Sequence, residues 1–254
     1  MKWGSIEEQI SDCEPKVLRN SPGIKCGVLI GRNDDSLRDV RAIFVSQEPS
    51  HYYREPLGLK DGNSVRLRIL ETCADRNHPD RRNRTNLVSE ICRLAACDKM
   101  QFDPGKDKIY WTHALKCVPA SSNSDIGKDW NKCAPSCVRI LREEIRLCPS
   151  KRIALVAIGG WALGMCLGAT SNETEDLRRI GVPKITDFIW NSPLPVRIGK
   201  FDLYAFIHPS HKEQVLALLK KGTQRTKAQP ERAEEIRAKI KTQEESLLRF
   251  LSEP

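Results

Sequence analysis

Arg152-Ile153-Ala154-Leu155-Val156-Ala157-Ile158-Gly159-Gly160 is the stretch that decides the fold. Its apolar run has no polar face to offer water and is short for a helix, so it belongs to a central strand of a parallel sheet covered on both sides. Shorter runs of the same kind are Ala42-Ile43-Phe44-Val45, Ile109-Tyr110-Trp111-Thr112 and residues 201–207. Between them the apolar spacing turns helical: Val65 and Ile69 within 64–75, Leu87, Ile91 and Leu94 within 86–97, then about 129–147, Trp161–Leu167 and about 211–221. Strands separated by helices predict a three-layer α/β/α fold with a central, mostly parallel four-stranded sheet. A short helix over 1–20 and an extended segment near 27–30 are expected to precede it. Residues 1–221 are expected to form this domain. Residues 222–254, rich in Lys, Arg, Glu and Gln, carry a sparse stripe of Ile236, Ile240, Leu247, Leu248 and Leu251 and predict a C-terminal helical extension begun at Pro230 and packed on or beside the domain.

The 254 residues hold 42 Lys and Arg against 33 Asp and Glu, a net charge of +9 that favours a polyanionic partner. No run of about 18 apolar residues is present, and Met1–Glu8 lacks the apolar centre of a signal peptide, so a cytoplasmic protein without membrane partners is expected. In that reducing setting ten cysteines suggest a metal or cluster rather than disulfides. Cys73, Cys92, Cys97, Cys148 and Cys166 lie among Leu, Ile and Ala and read as buried small hydrophobes.

Two strands empty into polar, proline-stiffened loops: Ser46-Gln47-Glu48-Pro49-Ser50-His51 after the first strand, and His208-Pro209-Ser210 after the last. Ligands of open α/β sheets bind beyond the carboxyl ends of the strands. There a carboxylate and an imidazole are suited to polarising a bond and stabilising the charge that develops as it breaks. The decapeptide Asp75–Arg84, with Arg76, His78, Arg81, Arg82 and Arg84, reads either as a solvated loop or as a phosphate-binding finger.

The ordered set Gln47-Glu48-Pro49, Lys116-Cys117-Val118-Pro119, Cys133, Leu155–Leu163 and His208-Pro209-Ser210 resembles the uracil-DNA glycosylase superfamily over about residues 10–221. It is nearest to the iron-sulfur branch, often called family 4. Cys117 and Cys133, with fifteen residues between them, match two cluster ligands of that branch. The resemblance implies a structural 4Fe-4S cluster held by Cys13, Cys26, Cys117 and Cys133, with zinc on the same thiols as the alternative. Lys16 stands where the branch has its second N-terminal cysteine, so Cys26 fills the fourth place, with Cys137 as runner-up one helical turn past Cys133. The resemblance also implies catalytic roles for Glu48, at the sugar cation and attacking water, for His208, at the departing base, and for Gln47 beside them. Lys116, Ser210, His211 and Lys212 are then expected at the DNA, together with the arginines of the 76–84 segment.

The departures from the family bear on the base. His113 stands where uracil-specific relatives carry the Asn that bonds the pyrimidine edge, and Lys60 falls near their stacking Phe. A polar pocket of His51, Tyr52, Tyr53, Lys60 and His113 suits a base with extra hydrogen-bonding groups, such as a hypermodified cytosine of foreign or phage DNA. The expectation is a monofunctional DNA glycosylase that flips a nucleotide and hydrolyses its N-glycosidic bond. The alternatives are a uracil-DNA glycosylase of base excision repair and a non-catalytic iron-sulfur protein that binds nucleic acid. No lysine occupies the motif positions that a Schiff-base lyase would use, Lys60 being the nearest exception.

Overall fold

The structure, a computed structural model, describes residues 39–47, 64, 67–69, 71–72, 75, 77, 79–95, 108–116, 124–171, 181–222 and 227–253, with the backbone alone for 79–86 and 124–133. One sheet holds β1 (Ala42–Ser46), β2 (Ile109–His113), β3 (Ile153–Ile158), β4 (Val196–Ile198) and β5 (Phe201–Phe206), in the order β2-β1-β3-β5-β4. The helices with described bounds are α1 (Pro79–Leu94), α2 (Ser124–Arg146), α3 (Gly160–Thr170), α4 (Ile185–Asn191), α5 (Lys212–Lys221) and α6 (Pro230–Ser252), and residues 64, 67–69 and 71–72 are helical as well. β1, β2, β3 and β5 are parallel, and β4 runs antiparallel along β5.

The α/β expectation holds, with five strands in place of four. β4 has only three residues, none of them buried, so it carries no apolar run to announce it. A tight turn makes it possible: Gly199, at φ +56, lets Ile198 double back to Phe201. The helix expected from 86 begins instead at Pro79, so Pro79–Arg84 of the expected loop belong to the first turns of α1. Proline at a helix start loses no intrahelical bond, which lets the helix begin ahead of its apolar stripe.

Side chains alternate across the sheet, and their contacts sort the two layers. Tyr110 and Thr112 bond Glu144 on α2, placing α2 on one face. Tyr204, in register with Val156, Phe44 and Trp111, meets Ser246 of α6 on the other. Every residue of β1, β2 and β3 is buried, as the continuous runs require. Cys92, Cys148 and Cys166 are also buried, while Cys73 and Cys97 lie outside the described residues, as do the segments 1–20 and 27–30.

α6 begins at Pro230, and its Ile236, Ile240, Leu247 and Phe250 join the core that the sheet builds. Leu248 and Leu251 are only half-buried, and Gln243 takes an interior place instead. The reason lies in the sheet edge. β4 pairs with β5 only as far as Leu203, which leaves the outward N–H and C=O of Ala205 without a strand beside them. The Gln243 amide supplies both partners: its Oε1 accepts from Ala205 N at 2.9 Å, and its Nε2 donates to Ala205 O at 3.1 Å. A single side chain thus extends the ladder by one residue.

Replacing Gln243 by Leu keeps the volume and orphans both backbone groups. It is expected to lower unfolding free energy by about 2–6 kcal/mol, given about 1–3 kcal/mol for each of the two buried unsatisfied groups. Urea unfolding checks this, and a loss below about 0.5 kcal/mol, the range of neutral surface changes, would show the amide to be dispensable.

Candidate active site

β1 lies between β2 and β3, so the chain turns one way from β1 to β2 and the other way to reach β3. Such a reversal, at the carboxyl ends of β1 and β3, is where α/β sheets form the crevice that takes their ligands. Gln47 stands on one side of it. Gly159, next after β3, stands on the other. Backbone bonds carry the pairing past the strand ends: Ala114 N donates to Ser46 O at 2.6 Å and Leu115 N to Gln47 O at 2.9 Å. The register sets Val45, Ala157 and Ala205 level, so Gln47, Gly159 and Ile207 share the rim. With strands about 4.8 Å apart, Gln47 and His208 are separated by roughly 10 Å of sheet and His113 and His208 by roughly 14 Å. That gap is on the scale of a nucleoside.

His208 follows β5 in a turn closed by the bond from His211 N to His208 O at 2.9 Å. Gly159 adopts φ +94 beside it, and a Cβ at that glycine would stand 3.7 Å from the His208 Cβ, an ordinary contact. The glycine is needed for its backbone angle rather than for space. Ser210 Oγ lies 2.6 Å from His208 Nδ1. If the hydroxyl donates, the proton of the neutral ring sits on Nε2, which is then free to donate to a ligand. Burial, and secondarily the His211 ring, lowers the His208 pKa to about 4, so the ring is neutral at physiological pH.

His113, at the end of β2, is buried, and its Nδ1 has no hydrogen-bond partner among the described residues. Its ring centroid is 5.3 Å from that of Trp111, whose Nε1 donates to Ser46 Oγ at 2.9 Å. Burial, reinforced by the Lys116 ammonium, lowers the His113 pKa to about 3. A buried polar atom without a partner is costly, and a ligand-facing role is one of the few reasons for keeping one. Of the expected base pocket, His113 alone is described; His51, Tyr52, Tyr53 and Lys60 lie outside the described residues.

Lys116, expected at the DNA, is corrected by the structure. Its side chain is buried, with Nζ 2.6 Å from Glu144 Oε2 and 2.5 Å from Thr112 Oγ1. Glu144 also accepts from Tyr110 at 3.0 Å and Thr112 at 3.0 Å. The ammonium is therefore spent inside the protein, on the face that carries α2 and away from any phosphate. Burial, with Glu144 adding to it, holds the Tyr110 phenol far above its usual range and protonated. Burial likewise pushes the Cys166 thiol up, against a smaller opposing effect of Lys116. Nothing in the sequence marks Glu144 as interior except its place on the apolar side of α2, between Leu141 and Ile145.

The other expected residues divide in the same way. Ser210 is spent at least partly on His208, His211 is exposed with its ring 5.8 Å from that of His208, and Lys212 pairs with Glu244 at 3.6 Å. Arg81, Arg82 and Arg84 stand on the first turns of α1, whose side chains are not described there, and Arg76 lies outside the described residues, as does Glu48, the residue after Gln47. Among the described residues no group of three or more His, Cys, Asp or Glu is placed to hold a metal. Cys13, Cys26 and Cys117 lie outside them, and Cys133 is described only by its backbone in α2. Cys137, one turn along, is buried in the apolar core, the setting of a small hydrophobe. Thiolates are the right donors for an iron-sulfur cluster, so the expected set fits in chemistry alone. Among the described residues no helix is long and apolar enough to cross a membrane. No family model matches the chain, and no curated protein matches it either.

The buried charges make two outcomes testable. Lys116→Met or Glu144→Leu alone is expected to cost about 3–5 kcal/mol, because each strands a buried partner, whereas the two together recover most of the loss. Chemical denaturation of the three variants checks the coupling, and simple additivity would refute it. Both histidines have folded pKa values below the unfolded value of about 6.5. The unfolded chain therefore binds their protons first as pH falls, so their stabilising effect is complete above about pH 6.5 and is lost toward pH 4 and 3. His113→Asn should flatten that fall by about 1.4 kcal/mol per pH unit between pH 6 and 4, read as unfolding free energy against pH.

Proposed function

We propose that the chain is a monofunctional DNA glycosylase of the uracil-DNA glycosylase type, acting on a modified base other than uracil, such as a hypermodified cytosine of foreign DNA. The observation that carries this reading is the neutral His208, held by Ser210 at the carboxyl rim, across the crevice from the Gln47 turn that leads into Glu48. The net charge of +9 suits a DNA substrate.

In the proposed reaction a flipped nucleotide enters the crevice, and the bond from C1′ to the base nitrogen breaks with its electron pair leaving on the base. His208 Nε2–H donates a hydrogen bond to an oxygen of the departing base, stabilising its negative charge without giving up the proton. Glu48 faces the oxocarbenium-like sugar and takes the proton from the water that adds to C1′. The released base is protonated by solvent, and the DNA keeps an abasic site. Gln47 helps to fix the loop that carries Glu48. His113, buried and neutral, offers its unpartnered ring nitrogen to the edge of the base. This replaces the amide of uracil-specific relatives and favours a base with a different pattern of donors and acceptors. Cys13, Cys26, Cys117 and Cys133 would hold the cluster, whose role would be structural, with no part in bond cleavage.

Free-base release from a panel of naturally modified duplexes tests the reading. His208→Asn and Glu48→Gln are each expected to slow release by about 10²–10⁴-fold with folding intact. Release from uracil-containing DNA alone would assign the chain to repair, and no release from any substrate, despite binding, would assign it to the non-catalytic class. Iron and acid-labile sulfide in protein purified without oxygen, at about four of each per chain, would identify the cluster, and zinc in their place would exclude it.

A further inference from the structure

The opposite rim of the sheet carries a pattern that the reaction does not use. Each parallel strand is immediately preceded by a cation: Arg41 before β1, Lys108 before β2, Arg152 before β3 and Lys200 before β5. Lys151 adjoins Arg152, and Arg197 on β4 lies in register with Asp202 near the same end. Backbone bonds hold the row in line. Arg41 N donates to Lys108 O at 2.8 Å, Ala154 N to Arg41 O at 2.8 Å and Ile153 N to Lys200 O at 3.0 Å. Across five strands the row extends roughly 19 Å, with a cation about every 4.8 Å.

Some of this charge is answered locally. Asp202, nearly buried, binds Arg152 at 2.6 Å and Arg197 at 2.7 Å, and Arg41 reaches Glu253. The guanidinium groups of Arg41 and Arg152 each lie 5.0 Å from the centre of the Phe250 ring, so two like charges are gathered on one side chain. Lys200 donates to Cys148 O at 2.7 Å. Lys108 and Lys151 are exposed and make no side-chain ion pair among the described residues. Among the described residues, these six cations therefore exceed the carboxylates of Asp39, Asp202 and Glu253 along this edge. The exposed large apolar side chains among the described residues, Leu67, Val182, Trp190 and Leu218, are on other elements. A row of cations with no apolar residue to insert suits a rod of phosphates better than a lipid surface.

We propose that the amino rim of the sheet is a second, sequence-independent binding surface for the phosphate backbone of duplex DNA, carried by Lys108, Arg41, Lys151, Arg152, Arg197 and Lys200. It faces away from the crevice, so one molecule can hold a second DNA segment while its candidate active site engages the first. This surface is independent of the glycosylase reading, since it requires only polyphosphate and no chemistry.

The test uses the full chain and Lys108→Gln/Lys151→Gln, which leaves the Asp202 and Phe250 contacts alone. Binding to an unmodified duplex of about 40 base pairs is followed against salt. The variant is expected to bind at least about tenfold more weakly near 0.1 M salt and to reduce the log–log salt slope by about 2, close to 0.9 for each phosphate no longer neutralised. An unchanged slope with a folded variant overturns the proposal. So does a greater loss of binding to phosphatidylserine vesicles than to DNA, which would make the rim a membrane surface. Base release from short modified duplexes is expected to be the same for both proteins. If neither protein releases any base, the glycosylase reading fails and the salt slopes still decide this proposal.

Discussion

The parallel pairing of β1 with β3 and of β3 with β5 is the constraint on which the rest depends. These strands bury both faces, so their backbone groups have no water to turn to and must pair with one another. One register satisfies them, and it brings Gln47, Gly159 and Ile207 to the same level. A shift of one residue would turn Phe44 and Val156 to the wrong layer and move the His208 loop along the rim. The site is therefore positioned by the core, from below. The loops need only hold the last few ångströms, as Ser210 does for the His208 ring and the Ala114 and Leu115 amides do for the Gln47 turn.

Much of this is legible in the sequence because it is local. A continuous apolar run reports burial on two faces, a proline reports where a helix can begin, and a cysteine among Leu and Ile reports an apolar setting; β3, the start of α6 and Cys166 are examples. What escapes a sequence reading depends on partners far along the chain. Gln243 reads as a polar residue on a charged helix, and only the shortness of β4 creates the gap beside Ala205 that its amide fills. Glu144 and Lys116 each look like surface charges, and each is interior because the other is there. Pattern gives a side chain's chemistry but not its depth, and for Lys116 depth reverses the reading from phosphate contact to core ion pair. The candidate site divides likewise: His113 and His208 are where the strand-to-loop transitions place them, while the bond from Ser210 to Nδ1 needs the turn geometry.

The ion pair of Lys116 and Glu144 also bears on the site above it. It lies under the β2 end, where its ammonium adds to burial in keeping His113 neutral. An interior charge that is fully bonded costs less than one that is not, and here Tyr110 and Thr112 complete the bonding of the carboxylate. The arrangement stiffens the junction between β2 and α2 at the point where the chain leaves toward Cys117.

Among the described residues a consistent electrostatic division then emerges. Charge is gathered at the amino rim, paired in the interior, and absent from the two imidazoles at the carboxyl rim. For the reaction proposed, that absence is useful. A cationic histidine would bind the phosphates of the resting substrate as strongly as the leaving base, and such uniform binding does nothing for the chemical step. A neutral donor held in the turn after β5 interacts weakly with an uncharged base and strongly with the anion it becomes. The gain from His208 is thus concentrated in the transition state, which is the condition for raising the rate rather than only the affinity.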